Sequence, residues 1–139
     1  MLCSGGPVRA HLGSDVASVR SDTLALGGVD HVTDLVQYDL HDIDAATGVR
    51  VREFVTRSGT VFALSWTGPV PPDLQQLLGQ YFPAYAAGLA ALDHPGLQRS
   101  VRIALADLVV EAGGHLRAYT GRAYLPALVP AGVTLAELH

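Results

Sequence analysis

A chain of 139 residues with 49% hydrophobic and 16% charged side chains is long enough to bury one core and too apolar for a disordered one. Its formal net charge is −4, and its acids cluster before Gly48 (Asp15, Asp22, Asp30, Asp34, Asp39, Asp42 and Asp44), which argues against a clustered basic face for a nucleic-acid backbone. The single cysteine, Cys3, excludes an intrachain disulfide, and no run reaches the roughly 20 apolar residues of a membrane-spanning helix.

Residues 1–13 contain Gly5, Gly6, Pro7 and Gly13 with no periodicity and read as a flexible leader or the remnant of a signal region. Ser14 is placed to N-cap a short helix running to about Leu24, with Val16 and Val19 on one side and Asp15 in the first turn, where the helix dipole favours an acid. Gly27-Gly28 ends it, and Val29 to Asp34 reads as a polar connection. From Leu35 to Ile43 apolar and polar residues alternate, the period of a half-buried strand, and Asp44 to Gly48 supplies turn chemistry. Val49 to Thr56 is a second strand, turned by Arg57-Ser58-Gly59 into a third over Thr60 to Thr67, with Phe62, Leu64 and Trp66 on one face. The three form an antiparallel meander, one side receiving a helix and the other thinly covered.

Gly68-Pro69-Val70-Pro71-Pro72 stops the sheet, because proline has no N–H for a ladder. Asp73 and Gln76 then stand at capping-box spacing, and Leu74, Leu77, Leu78, Tyr81, Tyr85, Leu89 and Leu92 follow one helical face. The helix expected over Leu74 to Leu92 covers the sheet, and Pro83 kinks or splits it by removing the bond to the Gly79 carbonyl. Alternation returns at Val101, Ile103 and Leu105, Leu108 to Val110 is a second apolar run, and Gly113-Gly114 reads as a turn into a strand from His115 to Thr120. Pro126 and Pro130 make the C-terminal segment irregular.

No phosphate-binding loop surrounds the paired glycines, and no serine stands in a nucleophile elbow. The histidines lack metal-ligand spacing; Asp39, Asp42 and Asp44 beside His41 read as a weak divalent-ion site or as a solvated acidic hairpin. Glu53 and Glu111 are the strand carboxylates a glycosidic pair would need, though each reads more simply as an arginine's partner. The most suggestive cluster is His115, Arg117 and Tyr119, which share a face if they lie on one strand, followed by Arg122 and Tyr124. Such a set suits an anion or carboxylate through charge-assisted hydrogen bonds, or is simply an exposed sheet face.

The segments VREFVTRSGTVFALSWTGPVPPDLQQLLGQYF (Val51 to Phe82) and DLVVEAGGHLRAYTGRAYLPALVPAGV (Asp107 to Val133) resemble DUF2844, a family of proteins of unknown function from proteobacteria related to Burkholderia and Ralstonia. The resemblance runs from about Leu12 to the C-terminus. It implies export, because Ala10-His11-Leu12-Gly13 and Ser18-Val19-Arg20-Ser21-Asp22 resemble the family's mature start. It implies no catalytic residue set.

The expected architecture is one α+β domain over residues 14–139: an antiparallel sheet of about five or six strands, the Leu74 to Leu92 helix on one face, and a short N-terminal helix. The expected function is a non-enzymatic binding or interaction protein, periplasmic or secreted by resemblance, with His115, Arg117, Tyr119, Arg122 and Tyr124 as its contact residues. It takes no cofactor, metal or nucleic acid, and its partner is an envelope protein or a second copy. Alternatives are a structural subunit of a cell-surface assembly that pairs through a strand edge, and an envelope enzyme using His115, Arg117 and Tyr119.

Overall fold

Side chains that alternate along extended backbone build most of this chain into sheet. A computed structural model describes residues 12–15, 28–92 and 100–139. Seven strands, β1 (Val29–Asp34), β2 (Tyr38–Asp44), β3 (Arg50–Thr56), β4 (Val61–Gly68), β5 (Ser100–Ala104), β6 (Val109–His115) and β7 (Ala118–Tyr124), form one sheet in the order β1-β2-β3-β4-β7-β6-β5. Every neighbouring pair is antiparallel.

This corrects the expected α+β fold of five or six strands. Among the described residues the sheet has seven, and they are mostly β, with a single α-helical segment of 17 residues between β4 and β5. Val29 to Asp34, expected as a polar connection, is β1, paired with β2 from Val29↔Asp44 to Asp34↔Asp39. Its backbone partners hold it extended, and its own side chains show no two-residue period that reveals this. The expected N-terminal helix is also corrected: Gly13 N donates to Val61 O, Val61 N donates to Ser14 O, and Asp15 bridges Thr60, so Ser14 extends the sheet and caps no helix. No such helix occurs among the described residues; residues 16–24 of that expectation, like residues 1–11 of the leader, lie outside them.

The helical segment begins where Asp73 accepts a hydrogen bond from Gln76 N at 3.2 Å. It is split into α1 (Leu74–Leu78), a 3-10 turn (Gly79–Tyr81) and α2 (Phe82–Ala90). Pro83 falls in the first turn of α2, where its missing N–H has no intrahelical partner to lose. The break falls at Gly79, whose carbonyl Pro83 cannot bond and whose φ of 52° suits a residue without Cβ.

Two cores lie on opposite faces of the sheet. On the helix side, Leu77, Leu78 and Tyr85 pack with Val51, Leu64, Trp66, Ile103, Val110 and Ala123. Trp66 lies over Gly121, where any Cβ would overlap the indole. On the other side, Tyr38, Phe54 and Phe62 form a ring cluster with centroids 5.5 to 6.2 Å apart, joined by Val109, Tyr124 and Leu138. Phe62 is therefore opposite Leu64 and Trp66. A β-bulge explains it: Phe54 pairs Ala63 and Val55 pairs Val61, so Phe62 is the extra residue and turns to the far face. The C-terminal segment, with 3-10 turns at Pro126–Leu128 and Leu135–Glu137, crosses this second face and covers the rings.

Candidate functional site

Strand register stacks three rows of side chains on the face away from the helix. The first is apolar: Leu40, Phe54, Ala63, Tyr124 and Val109. The second is charged: Asp42, Arg52, Ser65, Arg122, Glu111 and Arg102. The third is short and polar: Asp44, Arg50, Thr67, Thr120, Gly113 and Ser100. Because the third row is built mostly from small residues, it leaves a groove of about 790 Å³ across β3, β4, β7, β6 and β5, with Leu138 and His139 on its margin.

Each arginine of the groove gives its Nε to a carboxylate on a neighbouring strand. Arg50 reaches Asp44 at 2.9 Å and Arg52 reaches Asp42 at 2.7 Å. Glu111 serves two, taking Arg102 at 3.0 Å on one oxygen and Arg122 at 2.6 Å on the other. The hydrogen bond from Arg122, with that from Arg102, holds the Glu111 carboxyl below the usual carboxylate range despite its partial burial. The Glu111 carboxylate in turn raises Arg102, and Asp44 raises Arg50.

Four guanidiniums thus face three carboxylates, and an arginine that spends Nε still has terminal nitrogens for oxygen acceptors. Two already hold main-chain oxygens: Arg52 Nη1 donates to His139 O at 2.8 Å and Arg122 Nη1 donates to Leu135 O. Arg122 also lies 5.7 Å from the Tyr124 ring centroid, a cation–π contact. Arg50 and Arg102 stand at the two ends, 53% and 60% exposed.

Of the residues singled out in the sequence, Arg122 and Tyr124 meet on this face. His115, Arg117 and Tyr119 do not share a strand face, because the turn falls at Leu116-Arg117, with His115 opposite Ala118. His115 is exposed at the end of β6, Arg117 is exposed in the turn at φ 68°, and Tyr119 pairs Gly68 and Gly114 in the registers that face the helix. Arg50, Arg52 and Arg102 carry no mark as site residues in the sequence, and Glu111 is singled out there only as a glycosidic carboxylate or an arginine's partner. Counting back from the Ala45 to Gly48 turn would have set Asp44 opposite Arg50 and Asp42 opposite Arg52.

Several other acids among the described residues have defined places. Arg57 bonds Asp34 at 2.6 Å and Asp39 at 3.3 Å, so Asp39, Asp42 and Asp44 of the acidic hairpin are all ion-paired. Glu53 is fully buried on the helix side, in register with His41 and Leu64, while Glu111 faces the groove. The sheet separates the two, and they cannot act on one glycosidic bond.

A seven-stranded antiparallel sheet with a helix on one face and a row of arginines and carboxylates on the other defines a small β-sheet protein that presents an arginine-lined groove. The chain belongs to DUF2844, described as a protein of unknown function, whose family model matches residues 8–138. No curated protein and no solved structure matches it. No helix among the described residues is long and apolar enough to cross a membrane.

Proposed function

We propose that this chain is a non-enzymatic, exported binding protein that holds an anionic ligand in the arginine-lined groove. One observation carries the reading: two of the four groove arginines already grip oxygen acceptors of the C-terminal segment, and the other two stand exposed at the groove's ends. Charge-assisted bonds from guanidinium to carboxylate are among the strongest a surface can offer. Glu111, the carboxylate in the groove that two arginines share, is held ionised by them and serves there as their partner rather than as a general acid. Export is supported by the likeness of Ala10 to Gly13 and Ser18 to Asp22 to the family's mature start.

The test is calorimetric titration with citrate and with polygalacturonate at low and at physiological salt. Saturable binding of either is expected, weakened about tenfold or more by Arg50→Ala or Arg102→Ala and falling as salt rises. Both substitutions are at exposed positions, so the fold should persist. Binding that is indifferent to both arginines, or none at all, would remove the groove from the account.

A further inference from the structure

We infer that the groove takes an acidic glycan, a linear oligosaccharide bearing carboxylates; this rests on the groove being the binding site. Its direction is the first reason. The groove crosses five strands, from Arg50 on β3 to Ser100 and Arg102 on β5, a span of about 19 Å at about 4.8 Å per strand gap. A single small anion meets one end of it, whereas a linear chain meets both.

The charge spacing is the second. Arg52, Arg122 and Arg102 share one register across the sheet with one strand between each pair, which sets their backbones about 10 Å apart. The ligand this suits carries its negative groups at intervals, separated by uncharged surface. Ser65 and Glu111 lie between those arginines in the same register, and beside them, in the next register, the floor presents Thr67, Thr120 and Ser100, all exposed. A hydroxyl both donates and accepts, so this row matches a chain of sugar hydroxyls as the arginine row matches its carboxylates.

The third reason discriminates against an acidic peptide. The floor strands are all paired on both sides except β5, so their backbone N–H and C=O groups are engaged in the ladder. Extended peptides dock on sheets by adding a strand at an edge, where their own backbone is satisfied. Laid across the strands of a closed floor, a peptide would have only side chains for its amide groups. A glycan has no such backbone to satisfy.

The deciding experiment is titration of the full chain with oligogalacturonate, monomeric galacturonate, a neutral maltooligosaccharide and polyglutamate. Oligogalacturonate should bind at least tenfold tighter than the monomer and far tighter than the neutral chain, with polyglutamate weaker by a similar factor. Thr67→Val and Thr120→Val keep the β-branched shape and remove one hydroxyl each. Each should cost oligogalacturonate about three- to tenfold in affinity and leave polyglutamate unchanged. Equal binding of polyglutamate, or valine variants that bind the glycan normally, would overturn the glycan assignment while leaving an anion groove. Failure of every anion to bind would overturn both.

Discussion

Glu111 gives one carboxylate oxygen to an arginine from each strand beside it, Arg102 on β5 and Arg122 on β7. Its side chain is 31% exposed, so solvent screens the pairs, and their joint contribution is about 1 kcal/mol or less. The arginines hold its folded-state pKa below the unfolded value, so the folded state binds its proton less readily. The stabilisation is complete above the ordinary glutamate range near 4.3 and disappears as pH falls through the lower folded-state pKa. Glu111→Gln is therefore expected to be less stable than the parent at pH 7, with the gap closing toward pH 3. Urea denaturation at stepped pH measures this, and a gap that stays constant across that range would mean the charge on Glu111 contributes nothing.

At the scale of elements, the β6–β7 hairpin turns on two residues, and Arg117 adopts φ 68° there. A Cβ is disfavoured in that left-handed region, by roughly 1 kcal/mol for a residue other than glycine or asparagine. Arg117→Gly should raise stability by about 0.5 to 1 kcal/mol in chemical denaturation, despite the added entropy of the unfolded chain. A loss of stability would show that the turn's side chain contributes packing. The same hairpin shows why sequence reading stopped where it did. Gly113-Gly114 has the composition of a turn, yet β6 runs straight through it, and the turn falls on Leu116-Arg117, which carries no turn signal. The shift by a few residues scattered His115, Arg117 and Tyr119. Arg122 and Tyr124 stayed neighbours because they lie two apart on one strand, a relation that sequence displays directly. The rest of the groove is drawn from other strands, whose partners depend on turn positions and on the bulge at Phe62. The helix was legible at Asp73, Gln76 and Pro83, where capping and the missing proline N–H act within a few residues. β1 was not, because only pairing with β2 defines it.

Across the whole molecule, burial is graded from the centre of the sheet to its β1 edge. β4 has strand neighbours on both sides and every residue from Val61 to Trp66 buried, with a core against each of its faces. Among the described residues β1 has one neighbour, β2, and Val29 and Val32 are 60% and 59% exposed, so opening it uncovers little apolar surface that was not already wet. β5 is also an outer strand, but Ile103 is buried against the helical side and Gly88 of α2 lies against it. Local opening free energy tracks the apolar contact an element must lose, up to the global value for the innermost strands. Native-state hydrogen exchange should then find the slowest amides in β3, β4 and β7, intermediate rates in β5 and the fastest strand amides in β1, with β4 protected at least about a hundredfold more than β1. Equal protection from β1 to β5 would mean that the sheet opens only as one unit, and that the exposed valines of β1 are held by contacts stronger than their exposure implies.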